Sequence, residues 1–73
     1  MKRLIEIINI VRVNTNKPIV EQLLDSQSLI SDLGFDSLDL AELTVRIEKE
    51  FGIDVFSDGI VTTIKEIQNK LNL

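Results

Sequence analysis

Cysteine and histidine are both absent from the sequence, and proline occurs once. Without cysteine there is no disulfide and no thiolate metal site, so the fold must be held by packing of Leu, Ile, Val and Phe, which suits a reducing compartment. Without histidine the usual general base and the commonest nitrogen ligand are missing, and no Ser-His or Cys-His pair can be assembled. Self-contained nucleophilic catalysis is therefore not expected, nor is a metal centre. Long apolar runs are absent too. Leu4, Ile5, Ile7, Ile8 and Ile10 follow the basic Met1-Lys2-Arg3, but Glu6, Asn9 and Arg12 interrupt them. A membrane span needs about 18 uninterrupted apolar residues, and a signal peptide needs a small-residue cleavage site, which does not follow. The reading is a soluble, cytoplasmic chain.

What is present is a chain of 73 residues with a net charge of −4. That length suits one domain over residues 1–73 with one modest core, and favours a binding or carrier module over a large catalytic cleft. The charge is unevenly spread. Residues 21–58 hold ten acids, from Glu21 and Asp25 to Asp54 and Asp58, against only Arg46 and Lys49, while the flanks carry a net positive charge. Such a centre repels phosphate backbones and attracts basic protein patches, so protein partners are expected and nucleic acid is not. A merely solvated acidic surface is the plainer alternative.

Leu4, Ile7, Ile8 and Val11 recur at helical spacing over residues 3–13, and Asn14-Thr15-Asn16-Lys17-Pro18 breaks the pattern. The β-branched content would suit a strand, but the adjacent pair Ile7-Ile8 fits a period of 3.6 better. Asn16 as a cap and Pro18 near a first helical position predict a short helix through Leu24 to about Asp25. The chain to Asp36 then reads as a loop anchored by Leu29, Ile30, Leu33 and Phe35, with Gly34 at a turn. Residues 37–51 form the clearest helix, opened by Asp36-Ser37 and closed by Gly52. Ile53, Val55 and Phe56 re-enter the core. Thr63-Ile64-Lys65-Glu66 is a capping box for a last helix with Ile64, Ile67 and Leu71 on one face. The fold class is all-α, a small bundle with a long first connection.

The stretch Asp32-Leu33-Gly34-Phe35-Asp36-Ser37-Leu38-Asp39 is the most informative. Asp36 caps the helix, Asp39 lies near its N-terminus, and Ser37 is left at the first helical position with its hydroxyl outward. On local grounds alone this is a well-capped helix start. A phosphodiester on Ser37 would nevertheless sit where a helix favours an anion, and a chain without a thiol can hold an acyl thioester only if a prosthetic group brings the sulfur. A calcium loop is excluded, because Asp32, Asp36 and Asp39 lack the required one-three-five spacing.

That octapeptide, followed by Glu42-Leu43, Ile47-Glu48 and Glu50-Phe51-Gly52-Ile53, resembles the acyl carrier proteins. The resemblance runs from about Leu29 to Leu71, including Thr62-Thr63, and thins over the first 25 residues. It implies a four-helix bundle with a short or degenerate third helix. It further implies that a phosphopantetheinyl transferase attaches 4′-phosphopantetheine from coenzyme A to Ser37, within the signature Asp36-Ser37-Leu38. Acyl-loading and acyl-processing synthases and transferases would catalyse every bond-making step, and the carrier, a monomer, would serve fatty-acid, polyketide-like or other lipid biosynthesis. Phe56 departs from a proline frequent in the family, Ser57 to Val61 is shorter than usual, and Arg46 and Lys49 add positive charge to the helix. These departures suggest a specialised carrier. An aminoacyl or peptidyl carrier, including the D-alanyl type, would share the arm, and a helical adaptor without a prosthetic group is the rival of a different class.

The helix after Ser37 carries two apolar stripes. Leu40, Leu43, Ile47 and Phe51 make one, and Leu38, Ala41 and Val45 the other. One core face suffices, so the second stripe, rimmed by Asp39, Glu42 and Glu48, is read as a partner-docking patch, with contact between Leu38, Val45 and the long loop as the alternative. Leu40, Leu43, Ile47, Phe35 and Ile60 are expected to line a pocket for the cargo.

Overall fold

The computed structural model describes residues 2–57 and 59–73; Met1 and Asp58, the last of the ten central acids, lie outside the described residues. Three helices are present among the described residues, α1 (Lys2–Asn14), α2 (Ser37–Phe51) and α3 (Ile64–Leu71), with no strand beyond one isolated antiparallel bridge between Ser28 and Thr63. No helix is long and apolar enough to cross a membrane.

The periodic positions of α1, Leu4, Ile7, Ile8 and Val11, are buried against Leu43 and Ile47 of α2 and Ile64, Ile67 and Leu71 of α3 in one cluster. Helices α1 and α2 run antiparallel, tied at one end by the Arg3 guanidinium on Glu50 and at the other by Asn14 Nδ2 donating to Glu42 Oε2 at 3.0 Å. Glycine closes α2. Gly52 takes the left-handed conformation at φ 73° and its N–H returns to the Glu48 carbonyl at 2.7 Å. At the start of α3, the Thr63 hydroxyl accepts the Glu66 amide and the Glu66 carboxylate reaches back to Thr62. Those bonds hold the Glu66 carboxyl below the usual glutamate range, the Thr62 hydroxyl contributing most.

The helix expected from Pro18 to about Asp25 does not form. Asn9 grips Val20 twice, accepting its amide at 2.8 Å and donating to its carbonyl at 2.9 Å, and Arg12 Nε donates to the Pro18 carbonyl. Three of the segment's backbone groups are thus bonded by side chains of α1, which hold it in a non-helical path. Asn16 adopts φ 63° at the end of α1 instead of capping a new helix.

Further along, the long connection is pinned by Leu29, Leu33 and Phe35, all buried, whereas Ile30, expected among the anchors, faces solvent. Carbonyls of Asp25 and Gln27 accept the amides of Lys65 and Ile64, which α3 itself leaves unpaired. Between α2 and α3, the place of the expected short third helix is taken among the described residues by turns around Val55 to Ser57, with Val55 and Val61 buried.

Candidate functional site

Ser37 owes its position to alternation just before it. Leu33 and Phe35 are sunk in the core, so Gly34 and Asp36 between and after them are pushed outward, and Ser37 emerges as the exposed first residue of α2. Gly34 makes the preceding turn at φ 74°, and a Cβ there would approach the Lys17 side chain to 3.0 Å. Asp32 closes the same turn by accepting the Ser28 amide at 2.6 Å.

Asp36 and Asp39 form a reciprocal capping box: Asp36 Oδ1 accepts the Asp39 amide at 2.9 Å, and Asp39 Oδ2 accepts the Asp36 amide at 3.0 Å. The Asp36 carboxyl is held below the usual aspartate range chiefly by the Asp39 amide, with the Asp39 side chain, the Leu38 amide and the Lys17 charge adding to it. Two of the amides at this helix start are therefore already committed. An anion on Ser37 meets the favourable end of the helix dipole rather than those N–H groups.

The candidate docking residues separate into groups. Leu38, 78% exposed, and Val45, 67% exposed, stand in solvent with Ala41, beside a groove to which Asn14, the last residue of α1, and Thr15 after it contribute. They do not rest on the long connection. Asp39 is only 6% exposed and turned into its capping box, so it leaves the rim. Glu42 is tied by Arg46 Nε at 2.8 Å and by Asn14 at 3.0 Å, and these bonds, Arg46 first, hold its carboxyl below the usual range. Glu48 is exposed.

A second groove opens beside Ser37, lined by Ile30, Leu40, Ala41, Thr44, Phe56 and Ile60. Of the five side chains expected there, Leu40 and Ile60 take part; Phe35, Leu43 and Ile47 are fully buried in the core. Thr44 lies seven residues after Ser37 and so on the same helical face, a spacing that could have marked it; nothing local marks Ile30. The site fits a flexible arm on Ser37: the hydroxyl position is open to solvent, and an apolar channel starts beside it.

The phosphopantetheine attachment site model matches residues 5–71. An acyl carrier protein of Rickettsia bellii (strain RML369-C) is 40% identical over 67 residues, covering 92% of this chain and 76% of that protein. One from Rhodopseudomonas palustris (strain TIE-1) is 46% identical over 44 residues, 60% of this chain and 56% of its own length, and one from Zymomonas mobilis is 35% identical over 48 residues, 63% and 62%. No solved structure matches.

Proposed function

The chain belongs to the acyl carrier proteins of the phosphopantetheine attachment family, and from that premise we propose that Ser37 is the residue that takes the arm. Acyl carrier proteins are carriers and not enzymes, and their prosthetic group is a covalently bound 4′-phosphopantetheine. When bound, that group supplies the thiol on which an acyl chain is held as a thioester. The observation that carries the assignment to Ser37 is its exposed place at the start of a capped helix within Asp36-Ser37-Leu38. Among the other serines, Ser28 spends its hydroxyl on the amides of Ile30 and Ser31, and Ser26, Ser31 and Ser57 stand in no helix.

The work of this chain's own residues is positional. Leu33 and Phe35 anchor the approach, the box of Asp36 and Asp39 fixes the helix start, and Leu38 with Val45 offers an apolar contact to enzymes that act on the arm. A phosphopantetheinyl transferase transfers the arm from coenzyme A, and acyl-loading and acyl-processing enzymes follow, in fatty-acid, polyketide-like or another specialised lipid synthesis. The protein acts as a cytoplasmic monomer. The turn in which the Ser57 amide donates to the Asp54 carbonyl supports reading this segment as the degenerate third helix of a four-helix carrier.

Coexpression with a broad-specificity phosphopantetheinyl transferase tests this. Intact-mass spectra should show wild type heavier by one phosphopantetheine and Ser37→Ala unmodified. A modified alanine variant, or an unmodified wild type, would overturn the assignment.

A further inference from the structure

Helix α2 carries four acidic side chains, Asp39, Glu42, Glu48 and Glu50, yet three of them are spent within the molecule. Asp39 closes the capping box, Glu42 is shared by Arg46 and Asn14, and Glu50 is paired with Arg3. Its two bases divide likewise: Arg46 is bound to Glu42, while Lys49 is exposed. Glu48 and Lys49 have no ion-pair partner among the described residues. At about 100° per residue they fall on opposite sides of Val45, the far end of the exposed stripe that begins at Leu38 beside Ser37. The outer face of α2 is therefore not an acidic rim. It is an apolar pair ending in one free acid and one free base.

Resting on the carrier reading, we propose that this face selects its partners by split charge: it fits a protein surface whose apolar knob enters against Leu38 and Val45 and is flanked by a base facing Glu48 and an acid facing Lys49. A uniformly basic surface meets Lys49 with like charge and gains less from Glu42, whose carboxylate is already paired with Arg46. Complementary charges around an apolar centre set association rate and register, and like charges suppress the wrong partner.

The test measures kcat/KM for phosphopantetheine transfer with a transferase whose docking face is predominantly basic, at low and at moderate salt. Lys49→Glu should speed transfer about two- to fivefold at low salt and steepen its decline with salt, and Glu48→Lys should slow it by a similar factor, as befits exposed pairs. Single Lys→Glu or Arg→Glu replacements across the transferase docking face form the second arm. At least one should gain on the wild-type carrier and lose that gain on Lys49→Glu. If every replacement costs both carriers equally, or Lys49→Glu leaves rate and salt dependence unchanged, split-charge selection is wrong although Ser37 is still modified. If no carrier is modified, wild type included, the carrier reading falls and this inference with it.

Discussion

Leu43 and Leu38 lie five residues apart on one helix and meet opposite fates. Leu43 has no exposed surface and Leu38 is 78% exposed; Ile47 and Val45 repeat the contrast further along the helix. The inner face gives the helix its reason to fold, because burial of apolar area is the dominant favourable contribution. Leaving the outer face apolar adds nothing to the folded monomer, which is why we propose it as a contact for partner enzymes. Ser37 and the groove toward Ile60 lie to one side of the outer stripe, where arm and enzyme can meet.

The contrast can be broken most forcefully from the inside. Leu43→Ala or Ile47→Ala should cost about 2–5 kcal/mol in urea unfolding, because each leaves a cavity among side chains of three helices. A loss below 1 kcal/mol would mean the core is not organised around α2.

Cargo probes the space between the two faces. If a medium-length acyl chain on the arm enters the groove of Ile30, Leu40, Phe56 and Ile60, each methylene withdrawn from water should add about 0.8 kcal/mol. Melting temperature should then rise with chain length above that of the unacylated holo form. Ile60 is 80% exposed, so this wall has to fold inward for the gain to appear. A flat series would show a carrier that displays its cargo.

Gly52 sharpens the boundary of the helix. A Cβ there meets nothing within 4 Å, so Gly52→Ala isolates the cost of a left-handed backbone at φ 73°. That cost should be about 1 kcal/mol, read as a lower urea midpoint with an unchanged slope. No loss would mean that α2 ends without needing this turn.

Much of this frame was legible in the sequence. The 3.6 period located α1, Asp36 and Gly52 bounded α2, and Thr63 with Glu66 marked the start of α3, because caps and apolar spacing are local signals. What could not be read there depended on distant side chains. Nothing near Val20 announces that Asn9 will take both its backbone groups and prevent a helix. Asp39 looks like a rim acid until the capping box turns it inward, and Glu42 looks free until Arg46 and Asn14 close on it. Composition counted ten central acids; only the fold shows which remain free to meet a partner.

Acid should erode the cap at the Ser37 end. The Asp36 and Glu42 carboxyls sit below their ordinary values in the folded protein, so the stability they confer is complete above the unfolded values near pH 4 and is lost as pH falls through the folded ones. Asp36→Asn keeps a capping side chain but removes the charge. Its urea midpoint should lie slightly below wild type at pH 6 and fall less between pH 5 and pH 3. Parallel curves for the two proteins would assign the acid loss to other groups.

The division of labour on α2 is tested most directly by the double variant Leu38→Ala/Val45→Ala, with unfolding and phosphopantetheine transfer to Ser37 measured on the same preparation. Exposed substitutions usually stay within about 0.5 kcal/mol of wild type, whereas losing the apolar centre of a contact costs about 1–2 kcal/mol or more in binding. The expected result is an unchanged urea midpoint with kcat/KM for transfer reduced about tenfold. A double variant that unfolds early yet is modified at the wild-type rate would contradict the account.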